Sequence, residues 1–96
     1  MEKRLGTISI VLERGGAPVA HVNELISQFG DCVIGRLGLP YPTRGVNIIT
    51  LIVDASVERV SALTGRLGQL PGIQVKSLMS KASEQGAASH DDPPGQ

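Results

Sequence analysis

Apolar and polar residues alternate from Arg4 to Glu13, with Ile8, Ile10 and Leu12 on one side and Thr7, Ser9 and Val11 on the other. A period of two is the signature of a strand. Arg14-Gly15-Gly16 breaks the pattern with a turn. The period then changes: Val19, Val22, Leu25, Ile26 and Phe29 recur at three- and four-residue spacing. This spacing predicts an amphipathic helix of about three turns, entered through Pro18 and stopped by Gly30.

Residues 31–39 alternate again, with Val33, Leu37 and Leu39 on one side and Cys32, Ile34 and Arg36 on the other. After a loop from Pro40 to Gly45, Val46–Val53 is apolar on both faces: Ile48 and Ile52 lie opposite Ile49, Leu51 and Val53. A strand apolar on both sides is covered on both sides. Gly35–Gly45 thus reads as a β-hairpin, its turn stiffened by Pro40 and Pro42 and relaxed by Gly45. Ser56 is placed to cap a second helix with the stripe Val57, Val60, Leu63, Thr64, Leu67 and Leu70. Gly65 and Gly68 weaken it by roughly 1 kcal/mol each relative to Ala. Their spacing is the kind that admits close packing against another backbone. Pro71-Gly72 ends the helix, and Ile73, Val75, Ser77 and Met79 form a last strand.

The order is β-α-β-β-α-β. Right-handed crossovers then give an α+β, ferredoxin-like sandwich: a four-stranded antiparallel sheet with both helices on one face. Strands one and three are central in that topology. The opposite face, carrying Val11, Ile34 and either Ile49 or its neighbours, would be a sizeable apolar patch in a monomer, so dimerisation through that face or through a sheet edge is expected. Residues 1–80 make one domain. From residue 81 the composition turns to Ala, Ser, Gly, Gln, Asp and Pro without apolar periodicity, so 81–96 is expected to be a disordered tail.

Composition sharpens this. A 96-residue chain buries only about 60–65% of its unfolded surface. With Phe29 and Tyr41 as its only aromatic residues, the core must be Val, Ile and Leu, and pairing with a second copy would support it. Nine basic and nine acidic residues give zero net charge, so no basic face for DNA shows in the totals. The single Cys32 rules out an internal disulfide and suits a reducing cytosol. The N-terminus does not read as a signal peptide, and no segment is long enough to span a bilayer.

Few residues carry candidate chemistry. Arg14-Gly15-Gly16 could aim backbone N–H groups at an anion, but it lacks the spacing of a phosphate-binding loop, and a plain turn is the preferred account. Arg36, Tyr41 and Arg44 cluster around the hairpin loop. They could hold a carboxylate or phosphate, or form contacts across an oligomer interface, and the rigid Pro-X-Pro loop favours the interface. His21 borders the apolar stripe of the first helix, and a partly exposed helix histidine is preferred over a metal ligand. Cys32 has Asp31 beside it, which disfavours a thiolate and suits a structural cysteine. His90 falls in the tail. No arrangement of acid–base, nucleophile or paired metal-ligand residues is evident, and no cofactor is implied.

Val22-Asn23-Glu24-Leu25, Gly30-Asp31, Ile34 to Tyr41 and Leu63 to Lys76 carry, in order and with their spacings, a resemblance to the iron-only hydrogenase system regulators. The likeness runs from about residue 4 to residue 79. It implies a small cytoplasmic bacterial protein of ACT-like, ferredoxin-type fold. In architecture this is similar to the C-terminal domain of nickel-responsive repressors, which oligomerises and binds metal. The nickel-binding histidine cluster of those repressors has no counterpart here, and no DNA-binding helical motif is present, which argues against direct, autonomous DNA binding.

The expected function is therefore a regulatory module without catalysis, acting as a homo-oligomer, dimer or tetramer. It would respond to a small-molecule effector or dock on a partner protein, through Gly15, Gly16, Arg36, Tyr41 and Arg44. The alternative is a metal-binding sensor using Cys32 and His21.

Overall fold

The computed structural model describes residues 2–81. Residues 82–96, and with them His90 and nearly all of the expected tail, lie outside the described residues. Within them the chain runs β1 (Arg4–Glu13), α1 (Val19–Ser27), β2 (Val33–Tyr41), β3 (Val46–Ala55), α2 (Val57–Gly68) and β4 (Ile73–Met79). Short 3-10 turns occupy Gly30–Cys32 and Pro42–Arg44. The strands form one antiparallel sheet in the order β2-β3-β1-β4, with β1 and β3 central. This is the expected ferredoxin-like arrangement.

The core follows from the two apolar periods. Ile8, Ile10 and Leu12 of β1 and Ile49, Leu51 and Val53 of β3 are buried on the inner face of the sheet. They form one cluster with Val22 and Ile26 of α1, Phe29, and Val60, Leu63 and Leu67 of α2. No polar or charged residue is buried among the described residues. Ile49 therefore belongs to the core, and the outer face takes its neighbours Ile48 and Ile52. On α2, Ser56 caps as its sequence position suggests: its Oγ accepts the Arg59 N–H at 3.1 Å. Each fully buried Leu or Ile contributes about 1.5–3 kcal/mol relative to exposure, so the aliphatic core carries the fold.

Three local expectations are corrected. Gly30 is not the stop of α1: the helix ends at Ser27 with Gln28 as a right-handed cap, and Gly30 lacks the positive φ of a glycine cap. The Phe29 N–H donates to Ile26 O and the Cys32 N–H to Phe29 O, so the chain winds on through a tighter turn. Cys32 consequently sits buried at the end of that turn instead of opening β2.

Val33 does not share a face with Leu37 and Leu39. Val33 pairs with Val53, but the next pairing is Gly35 with Ile52, so β2 carries one extra residue opposite β3. Such a bulge reverses which side later residues occupy. Val33 points to the core, while Leu37, Leu39 and Tyr41 pair with Thr50, Ile48 and Val46 on the outer face. Ile34, in the bulge, is 62% exposed.

The glycines of α2 are not sites of tight packing within the chain. A Cβ on Gly65 would meet no atom within 4 Å, and one on Gly68 would make an ordinary 3.8 Å contact with Val75 Cγ1. Close backbone approach occurs instead between Gly16 and the Pro71-Gly72 turn.

Candidate functional site

Among the described residues no helix covers the outer face of the sheet. Its two ends are apolar. At one end Leu5, Ile34, Ile52 and Leu78 surround a shallow depression of about 510 Å³. Leu78 is 72% exposed there. Leu37, 68% exposed, continues the apolar surface along β2. At the other end Leu39, Tyr41, Val46, Ile48 and Val11 lie together, as the strand register requires. Between them, Thr50, Ser9 and Lys76 form a polar row, paired through the same register.

Beyond the second apolar end, two turns are tied together. The Arg14 N–H donates to Gly45 O at 2.8 Å, linking the end of β1 to the tip of the β2–β3 hairpin. Gly45 has φ 69°, the left-handed conformation that glycine adopts without strain. Its Cβ position would lie 4.0 Å from the Arg14 guanidinium carbon, so the arginine lies against the hairpin tip. Arg14, Tyr41, Arg44, Val46 and Ile48, with Glu13, line an open cleft of about 750 Å³. Both arginines are exposed, and neither makes an ion pair: among the described residues the one salt bridge is Arg59–Asp31.

The remaining candidates lie elsewhere. Arg36 pairs with the buried Leu51 and so projects on the helix side of the sheet, where its guanidinium donates to Asn23 Oδ1 of α1 at 2.8 Å. The structure thus keeps Tyr41 and Arg44 together and separates Arg36 from them. Gly15 has φ 89° in the turn, and the Gly16 N–H donates to Glu13 O at 3.0 Å. Gly16 is also pressed against Pro71 O and Gly72, which gives it a packing role.

Cys32 is buried beside a small cavity of about 140 Å³ shared with Lys3, Asp31, Asp54 and Arg59. His21 is exposed on α1 and does not line that cavity. Among the described residues no group of three or more His, Cys, Asp or Glu is placed to hold a metal ion.

Around Cys32 the Arg59 guanidinium bonds Asp31 Oδ1 at 2.9 Å and lies 4.4 Å from the centre of the Phe29 ring. Arg66 lies 5.4 Å from the same ring. Arginine over an aromatic face is a favourable arrangement, so the one phenylalanine holds α2 to the end of α1. The hydrogen bond from Arg59 holds the Asp31 carboxyl below its ordinary value. Asp31 in turn raises the Arg59 value.

These elements fall within a known family. The TM1266-like family model, described as "Iron-only hydrogenase system regulator, putative", matches residues 4–77. The chain belongs to the TM1266-like family. A solved structure of the uncharacterized protein TM1266 from Thermotoga maritima is 34% identical, covering 83% of this chain and 100% of that one, with a TM-score of 0.79. A sequence comparison with curated proteins finds no match. The TM1266-like match spans the arginine cleft, the Cys32 cavity and both apolar ends of the outer face, Lys3 and Leu78 excepted. No helix among the described residues is long and apolar enough to cross a membrane.

Arg14 is the cleft residue that reasoning from sequence missed as a side chain. Its signal was present. Antiparallel pairing of the first and third strands places Glu13 opposite Val46, which forces residue 14 to lie beside residue 45.

Proposed function

We propose that this TM1266-like chain is a non-catalytic regulatory module of the iron-only hydrogenase system that works in the cytoplasm as a homo-oligomer. A second copy covers the outer face of the sheet. An effector or a partner protein acts at the end of that face, near Tyr41 and Arg44.

The observation that carries this reading is the outer face itself. Leu5, Ile34, Leu37, Leu39, Ile52 and Leu78 are all exposed there, on one surface. Single exposed apolar residues are ordinary, but a contiguous set marks an interaction surface. Four strands about 4.8 Å apart and about 3.3 Å per residue make a face of roughly 20 by 25 Å. The accessible area over such a face, with side chains standing from it, approaches the ~800 Å² per partner of a stable interface. The polar row in its middle, with the Lys76 ammonium among hydroxyls, sets the register of the contact rather than its strength. The regulatory role comes from the family description. The absence of catalysis is our reading of a surface whose exposed features are apolar and cationic.

Sedimentation velocity across low- to high-micromolar concentration tests the proposal. A dimer or tetramer whose population follows concentration is expected. A strictly monomeric species at the highest concentration would overturn it.

A further inference from the structure

The cleft between the β1 end and the hairpin tip has three properties that together define a ligand class. Its polar lining is cationic: Arg14 and Arg44 approach it from two different turns, and Tyr41 lines the same cleft. Its other wall is apolar, made by Val46 and Ile48 with the ring of Tyr41. Its frame is braced, because the Arg14 N–H to Gly45 O bond fixes the two turns relative to each other.

A surface arginine beside a carboxylate can pair with it, although an exposed pair is worth little. These two do not. Glu13 lines the same cleft, yet neither arginine comes within 4.0 Å of a carboxylate oxygen among the described residues. Arg59, by contrast, has found Asp31. Two unpaired guanidinium groups beside one carboxylate leave the cleft with a net positive charge. Their planar N–H forks match the oxygens of a carboxylate or phosphate, and the phenol adds one more donor. The Val46–Ile48 wall would strip water from an apolar body attached to that oxyanion.

We infer that the Arg14–Tyr41–Arg44 cleft binds a small organic anion, a carboxylate or phosphate monoester carried on an apolar body. The oxyanion lies on the two guanidinium groups and the body lies on Val46 and Ile48. Tyr41, Val46 and Ile48 also belong to the outer face. A second copy packed there forms the missing wall of the cleft, so the bound anion and self-association strengthen each other. This last step rests on the proposed oligomer, whereas anion binding does not.

The test uses the full chain and defined probes: acetate, 4-methylpentanoate, inorganic phosphate and phenyl phosphate, each titrated by two-dimensional NMR. Expected are saturable shifts at residues 13–14 and 41–48 with 4-methylpentanoate, phenyl phosphate or both. The two arms show whether carboxylate or phosphate is preferred. Acetate and inorganic phosphate are expected to bind at least tenfold more weakly, because they lack the apolar body. Equal binding of all four overturns the two-walled site, and no saturable shift with any of them overturns anion binding altogether.

Arg14→Gln and Arg44→Gln should each weaken the better probe by about tenfold. Arg36→Gln, on the other side of the sheet, should leave it unchanged. If Arg36→Gln weakens the probe as much as the cleft variants, the assignment falls. Unchanged amide spectra outside the cleft confirm that each variant is folded. Titration of Leu37→Glu, which puts a charge on the outer face and is expected to be monomeric, separates the two readings. Retained but weaker binding supports the shared wall, and undiminished binding removes the second copy from the site while leaving the anion in place.

Discussion

Gly16 and Gly72 meet backbone to backbone. A Cβ on Gly72 would lie 2.6 Å from the Gly16 Cα, and one on Gly16 would lie 2.6 Å from Pro71 O. The Ala17 N–H closes the contact by donating to Pro71 O at 2.8 Å, and the Glu13 N–H donates to Gly72 O at the same distance. This junction ties the β1–α1 turn to the α2–β4 turn. Gly16→Ala should therefore destabilise the fold by about 2 kcal/mol, as overpacking against rigid backbone does. Urea denaturation measures it. A change under half a kilocalorie would show that the turn can shift, and would reopen a role for Gly16 in binding.

The opposite outcome is expected at Gly65. It is helical, and a Cβ there meets open space. Gly65→Ala should raise stability by up to about 1 kcal/mol through helix propensity alone. A loss of stability that appears only at concentrations where the protein associates would place Gly65 against another copy.

Leu37→Glu puts a charge on the outer face, far from the core. Monomer stability should change by only about 0.5 kcal/mol or less, as for other exposed substitutions. Self-association, followed by light scattering, should be abolished. If the variant associates like the wild type, the face is not the contact surface.

Asp31 supplies a pH dependence with a definite sign. Its carboxyl is held below the ordinary value of 3.8, chiefly by the hydrogen bond from Arg59. A group whose value is lowered by folding stabilises the fold above its unfolded value, and that contribution is lost as the pH falls through the folded value. Both partners are well exposed, with side chains 42% and 71% accessible, so solvent and salt screen the pair. Asp31→Asn should be slightly less stable than the wild type at neutral pH and equal to it in strong acid. The difference should shrink in molar salt. A difference that persists unchanged into strong acid would mean that Asp31 acts through packing or through its turn.

The elements and their order were legible because alternation and helical periodicity are written in residue type. Ile8-Ile10-Leu12 and Val60-Leu63-Leu67 could be assigned to the core directly, as could the Ser56 cap. What stayed hidden depends on parity or on contacts distant in sequence. Alternation in β2 cannot show that Ile34 and Gly35 share one partner, so Val33 was grouped with the wrong side. A glycine looks the same whether it ends a helix, as expected of Gly30, or admits another backbone, as Gly16 does. Of the site, Tyr41 and Arg44 were visible as a pair on one loop. Arg14 joins them only through strand register, and Arg36 leaves them because it lies an odd number of residues before Tyr41 on β2 and so faces α1.

The bulge at Ile34-Gly35 has a consequence for how this surface can vary. With strict alternation from Val33, Leu37 and Leu39 would fall on the helix side and Arg36 on the bare side. One extra residue therefore decides whether the uncovered side of β2 is greasy or charged. Exchanging one exposed aliphatic residue for another along this strand leaves that face apolar. Loss of Ile34 or Gly35 would remove the bulge and leave Arg36 towards α1 and Leu37 on the bare side, whereas pairing the full-length strand without the bulge would invert its chemistry at one stroke.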